Sequence, residues 1–375
     1  MIRTYRTFLP LAMARYLLQR PMVDTSLLIA LVLVSILGLA VLYSAADTDL
    51  HVLYRQFVRL GIGVAVMLLI SRIPPRTLRV WSPPMFVFSI ALLVLVALLG
   101  EGRGANRWLD LGVVRFQPSE LLKLTVPMML AWYLHHRHLP PSFKDLLVCL
   151  ILLAIPATLI ARQPDLGTAL LVGASGAFVL FLAGLRWRFI FGAIVTAAAL
   201  SPVLWHYMHS YQRNRVLMLF DPESDPLGKG WSIIQSKIAV GSGGLSGKGW
   251  QNGTQAHLDF LPERSTDFIL AVYAEEFGLL GIIVLLLLYL YIIGRGLAIA
   301  MQAKDTYSRL LAGSLSMTFF VYVIVNGGMI SGLLPVVGIP LPLVSYGGTS
   351  IVSLLAAFGV IMSVYSHRKF LQRPL

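Results

Sequence analysis

The run FILAVYAEEFGLLGIIVLLLLYLYII, residues 268–293, holds only two charged side chains, Glu275 and Glu276. A helix needs about 20 mostly apolar residues to cross the hydrocarbon core of a bilayer, so this stretch is long enough to span one. Working outward, nine further runs read the same way, near 25–44, 57–73, 84–100, 117–134, 146–162, 168–185, 189–206, 309–326 and 345–366. The rest of the chain agrees. Hydrophobic residues make up 57% of the 375 and charged ones 13%, and mean hydropathy is +0.78. That leaves too little polar surface to coat a soluble core. The expected fold is an all-α polytopic membrane protein of about ten transmembrane helices.

The net charge of +13 excludes little by itself, because most Lys and Arg fall between the apolar runs, where they set orientation rather than bind nucleic acid. With the N-terminus in the cytoplasm, 17 of the 30 Lys and Arg lie on the cytoplasmic side. Six of the other 13 sit in residues 207–266, a segment long enough to escape the positive-inside rule. Both termini are therefore expected in the cytoplasm. Residues 1–375 read as a single membrane domain, with 207–266 as one large outer loop before the eighth helix. The single cysteine, Cys149, lies inside an apolar run, so no intramolecular disulfide framework is expected.

Within 207–266, Trp231, Ile234 and Ile238 share a helical face with Lys237 beside it, a pattern that suits a short helix lying on the membrane surface. Six glycines follow between Gly241 and Gly253. Gly241 to Gly249 imitates a P-loop, but Ser242 takes the place of its first glycine and Gly249 that of its Ser/Thr. What remains is a basic, glycine-rich loop whose N–H groups are able to approach a phosphate.

Ionisable groups inside a membrane each cost about 2.5–3.5 kcal/mol at a helix centre and need a reason. Glu120 and Lys123 stand three apart, on one helix face, where they can pair. Asp165 follows Pro164 and can either cap the sixth helix or serve a site. Glu275 and Glu276 are neighbours and cannot both face one site. Finally, Leu261-Pro262-Glu263-Arg264-Ser265-Thr266-Asp267-Phe268 runs straight into the eighth helix. Asp267 there reads either as a helix cap, a role Thr266 can also fill, or as a general base held where water is scarce. The helix dipole and Arg264 would lower its pKa and burial would raise it. His135, His136 and His138 read as solvated charge, and no metal-ligand spacing is present.

Several blocks, in order, resemble the SEDS family of bacterial cell-wall polymerases. They are Asn106 to Asp110 with Phe116 to Glu120, Gln163 to Thr168, Asp221 to Gly228, Gln235 to Ala239 with its glycine tail, Phe260 to Phe268, and Gly338 to Gly348. The resemblance spans residues 25–370 and is greater to the rod-shape branch than to the division branch. It implies an inverting glycosyltransferase that polymerises lipid II into glycan strands on the periplasmic face, during elongation and rod-shape maintenance. It carries the catalytic carboxylate onto Asp267, as general base for the acceptor 4-hydroxyl, and supporting weight onto Glu120, Lys123, Asp165 and Arg264. Relatives usually have His just before the Thr-Asp pair; this chain has Ser265, so no histidine helper is available at that position.

Undecaprenyl pyrophosphate, the leaving group so implied, needs cations around its developing charge. Arg107, Arg115, Arg213, Arg215, Lys237 and Lys248 are candidates, and a divalent cation, magnesium or manganese, is compatible with the same task. No other cofactor is implied. The expected partners are lipid II and the growing lipid-linked strand, a class B penicillin-binding protein transpeptidase, other elongation-complex proteins and membrane lipid, with no nucleic acid; the location is the bacterial inner membrane. Small residues Gly278, Gly281, Ala312, Gly313 and Ser314 mark spans eight and nine as the expected docking face for a single-pass partner. The alternatives are a lipid II flippase or transporter, a division-specific relative, and a catalytically silent scaffold.

Overall fold

The computed structural model describes residues 23–99, 108–110, 115–163, 165–208, 210–226, 230–258 and 260–367. Nearly all of it is helix. In chain order the elements are α1 (Thr25–Ala45), α2 (Leu50–Ser71), α3 (Pro75–Leu99), the two-residue strands β1 (Leu109–Asp110) and β2 (Arg115–Phe116), α4 (Ser119–His135), α5 (Phe143–Arg162), α6 (Leu166–Leu182) and α7 (Trp187–Tyr207). Then follow α8 (Ser210–Phe220), α9 (Trp231–Ser242), α10 (Thr254–His257), α11 (Ile269–Met301), α12 (Thr306–Ile330) and α13 (Thr349–His367). The strands form an antiparallel ribbon with Leu109 opposite Phe116.

All ten expected spans are helices, and seven of them are long and apolar enough to cross a membrane by length and composition. Helices α4 and α6, at 17 residues each, are the short ones. Three helices outrun their apolar runs because polar groups at their ends find partners. Asp49 caps α2, its side chain accepting from His51 N at 2.8 Å, so α2 begins at Leu50 rather than near 57. Pro74 O accepts from Thr77 and Leu78 N–H, starting α3 nine residues early. Helix α11 continues to Met301 because Arg295 pairs at 2.6 Å with Asp24, itself the buried N-cap of α1. At 33 residues it is about 50 Å long, well beyond the hydrocarbon thickness of about 30 Å.

Helix α12 lies at the centre, packed against α4, α6, α11 and α13. This removes the small residues on which the expected docking face rested. Ala312 and Ser314 are fully buried; Ser314 Oγ–H donates to Ser175 O of α6 at 2.6 Å, and a Cβ on Gly313 would strike Leu182 of the same helix. Small residues let these helices approach each other inside the bundle. Gly278 is buried, and a Cβ on Gly281 would meet Phe277 and Tyr273 of its own helix. The residues that α11 exposes are large, Leu280, Val284, Leu287 and Leu290 among them.

The surface-helix expectation for 231–242 is also corrected. Ile233, Gln235, Ser236 and Ala239 are the buried residues of α9, while Ile238 is exposed. The buried face is set by packing on α11 and α12, with Ser236 Oγ–H donating to Ile330 O at 2.8 Å. The glycine segment after it is no phosphate cradle. Lys248 N–H donates to Glu275 O and Gly249 N–H to Glu276 O, both at 3.0 Å, while Leu279 and Leu280 donate to Gly244 O and Leu245 O. In an uninterrupted helix Leu279 and Leu280 would bond Glu275 and Glu276. The glycine loop has taken over both ends of those bonds, and α11 kinks at Gly278, where φ is 64° and ψ −163°. Glu275 and Glu276 point to different partners: Glu275 accepts from Lys248 Nζ at 2.6 Å and Thr254 N at 2.8 Å, Glu276 from Ser44 of α1.

Gly247 and Gly278 both adopt positive φ, and a Cβ on either would collide with backbone of the other segment. Gly278→Ala and Gly247→Ala are therefore expected to destabilise the protein by about 1–3 kcal/mol each. Gly294→Ala, with open space around its Cβ position, serves as the neutral control. Thermal unfolding in detergent measures all three; equal melting temperatures would show that the loop is not fastened to the kink.

Candidate active site

Four helices, α4, α6, α11 and α13, begin at one cleft of about 610 Å³. Its lining draws Glu120 and Lys123 from the first turns of α4, Asp165 and Thr168 from the start of α6, Glu263 and Asp267 from the approach to α11, and Thr349 and Ser350 from the start of α13. Arg215 of α8, Trp108 and the Val337–Pro340 segment close it. The positive ends of helix dipoles converge there, an arrangement that favours a negatively charged ligand.

At the floor, Lys123 Nζ meets Glu120 Oε1 at 2.7 Å, with both side chains about nine-tenths buried or more. Ser353 Oγ–H donates to the other Glu120 oxygen at 2.6 Å, and the Lys123 ammonium lies 5.2 Å from the Tyr322 ring centre. Asp165 caps α6 and lines the cleft. One carboxylate oxygen accepts from Thr168 N at 3.1 Å, capping α6, and the other accepts from Gln117 Nε2 at 2.8 Å, beneath the cleft.

Asp267 does not cap α11. The N-cap is Phe268, with no side-chain cap bond, and Thr266 Oγ1–H turns back to Glu263 Oε2 at 2.8 Å. Burial pushes the Asp267 carboxyl up to about 6, Glu263 adds to the rise, and Arg215 opposes it. The contest between burial and positive charge is thus won by burial, with Arg215 rather than Arg264 as the opposing cation. Arg264 pairs with Asp47 at the end of α1 and does not line the cleft.

The other cations scatter. Lys248 is committed to Glu275, Arg213 donates to His206 O at 2.5 Å, and exposed Lys237 stands beside Gly332, just past the end of α12. Arg115 lies in β2, and Arg107 falls outside the described residues. Among the described residues no group of three or more His, Cys, Asp or Glu gathers as a metal site, and no step below runs through a divalent cation.

Three residues that sequence reading passed over organise this site. Tyr346 N–H donates to Ser265 O at 2.8 Å, Ser345 Oγ–H to Thr266 O at 2.6 Å and Asn326 Nδ2–H to Asp267 O at 3.0 Å. Gln56 of α2 grips the same loop from the far side, its Nε2–H donating to Ser345 O at 3.0 Å. An amide at the edge of an apolar run, as Asn326 and Gln56 both are, was the available signal.

Comparison with known proteins bears on this architecture. Residues 20–370 match the FtsW/RodA/SpoVE family model, described as cell cycle protein. The chain is 52% identical over 354 residues to the peptidoglycan glycosyltransferase MrdB of Escherichia coli (strain K12), covering 94% of this chain and 96% of that one. It is 36% identical to a probable peptidoglycan glycosyltransferase FtsW of Trichlorobacter lovleyi, covering 91% and 92%. Among solved structures, a chain of a peptidoglycan synthase complex that coordinates polymerization and crosslinking superposes with a TM-score of 0.81 at 36% identity, covering 94% and 99%. The rod shape determining protein RodA of Thermus thermophilus gives 0.71 at 31%, covering 94% and 98%. This multi-pass membrane protein belongs to the FtsW/RodA/SpoVE family of cell cycle proteins.

Proposed function

We propose that this protein is a peptidoglycan glycosyltransferase that polymerises lipid II into glycan strands at the periplasmic face of the bacterial inner membrane, during cell elongation and rod-shape maintenance. The observation that carries the reading is the cleft itself. It unites a half-buried carboxylate, Asp267, with Arg215, Lys123 and four helix N-termini, a base beside an anion-attracting wall. The 52% identity to MrdB supports the choice of reaction. Asp267 accepts the proton of the acceptor 4-hydroxyl as that oxygen bonds to the anomeric carbon of the donor. The bond to pyrophosphate breaks on the opposite face, inverting the centre, and undecaprenyl pyrophosphate departs. Because pyrophosphate leaves readily, the cleft needs cations and N–H groups around it rather than a strong general acid. A class B penicillin-binding protein, with other elongation-complex proteins, then cross-links the strands. Similarity to a chain of a synthase complex that coordinates polymerization and crosslinking supports that partnership.

Purified protein given labelled lipid II in detergent is expected to form glycan polymer, and a failure to do so would remove the reading. Asp267→Asn should lower the rate at least ~100-fold with an unchanged melting temperature; a rate within tenfold of wild type would remove Asp267 as the base. Since the base must be ionised, the rate should fall as pH drops through about 6, and a profile flat from pH 5 to 8 contradicts the assignment. At the floor, Glu120→Gln or Lys123→Met strands a buried charge, at a cost of about 3–5 kcal/mol. The double variant should melt higher than either single one. Wild-type melting and rate in both single variants would make the pair a spectator.

A further inference from the structure

We infer that Asn326 is a positioning residue for this reaction: with Ser345, it suspends the Asp267 backbone so that the carboxylate projects into the cleft. The inference rests on the reading of Asp267 as the base. Asn326 sits near the end of the central helix α12 and is fully buried. Its amide nitrogen spends both hydrogens, one on Asp267 O at 3.0 Å and one on Ile339 O at 2.8 Å. Those two acceptors also fix which way the amide points, because the reverse orientation would set Oδ1 against two carbonyl oxygens.

Asn326 therefore ties the approach to α11 to the irregular segment that follows α12. That segment matters to Asp267 directly. Gly338, at φ 77°, passes so close that a Cβ there would stand 3.4 Å from Asp267 Oδ2. Asp267 itself receives no side-chain hydrogen bond from the described residues that would steer it. Its direction is left to its backbone, and three donors in a row hold that backbone: Tyr346 N–H on Ser265, Ser345 Oγ–H on Thr266 and Asn326 Nδ2–H on Asp267. Ser345 is held in turn, accepting from Leu341 N–H at 2.7 Å.

Asn326 satisfies two carbonyls, but at a cost. Among the described residues its Oδ1 is buried with no hydrogen-bond partner, a position in which an amide oxygen costs free energy. A group kept there despite that cost fits a geometric task. Displacing a catalytic group by about 1 Å can slow chemistry ~100-fold, so the tether is expected to act on turnover rather than on substrate binding.

The test is steady-state polymerisation of lipid II by the full chain carrying Asn326→Leu and, separately, Ser345→Ala. The second variant keeps the question open to experiment if the first does not fold. Each should lower kcat roughly tenfold or more while KM for lipid II stays within about twofold of wild type. The acid limb of the kcat–pH profile should also move below about 6, towards an ordinary carboxylate, as Asp267 leaves its enclosed position. Wild-type kcat in a folded variant would overturn the inference, as would a loss confined to KM or an acid limb that does not move. An active Asp267→Asn variant would instead overturn the base assignment itself. An inactive Asp267→Asn beside fully active Asn326→Leu and Ser345→Ala would remove the positioning role alone.

Discussion

Backbone that leaves the helix at membrane depth has no water to bond and must find every partner inside the protein. That constraint shapes both irregular parts of this molecule. Where α11 breaks at Gly278, the glycine loop supplies the two carbonyls and the two N–H groups that the helix gave up. Where the chain runs non-helical between α12 and α13, side chains do the bonding: Gln56 from α2 on one side, Asn326 and Ser345 on the other. The approach to α11, which carries Asp267, is bonded to the second of these places through Tyr346, Ser345 and Asn326. The site is therefore held by hydrogen bonds that also keep the backbone there from being left dry and unpaired.

The same geometry explains how a cleft with four carboxylates can still attract an anion. Glu120 is matched by Lys123. Asp165 is spent on an N-cap and on Gln117. The N-termini of α4, α6, α11 and α13 then add fixed partial positive charge that needs no side chain. A large pool of outer-side cations is unnecessary when helix ends supply part of the potential, and two of the six expected basic residues are engaged elsewhere: Lys248 with Glu275 and Arg213 with the carbonyl of His206.

The ten spans were legible because a long apolar run has few other readings, Glu120 and Lys123 because charge inside such runs is rare, and Asp165 and Asp267 because they stand at the mouths of such runs. Their convergence was not legible, since it follows from which helix ends meet. The helix limits at Leu50, Pro75 and Met301 escaped a hydropathy reading because each depends on a cap or an ion pair, with Asp24 lying 271 residues from its partner Arg295. The glycine loop misled for a related reason. Six glycines describe a backbone that something approaches closely, and the sequence has no way to say that the visitor is α11 rather than a phosphate. Likewise Gly313 and Ser314 advertise close packing without saying whether the neighbour is a partner or, as found, α6.

Ser265 brings these strands together. The family resemblance expects histidine there, a group that could share the proton with the neighbouring carboxylate. Here position 265 contributes its carbonyl to Tyr346 N–H, and that contribution is independent of the side chain. The backbone architecture of the site is thereby insulated from the substitution, while the proposed proton chemistry falls to Asp267. A lone carboxylate must be basic enough to take a hydroxyl proton and yet ionised at the working pH, and catalysis is best served when its pKa lies close below that pH. Burial, with Glu263 adding to the rise, lifts the group to about 6 and moves it in that direction. On the proposed reading, the enclosure of the carboxylate, and hence the tethers that keep it enclosed, supply together with Glu263 the tuning that a neighbouring histidine would otherwise give.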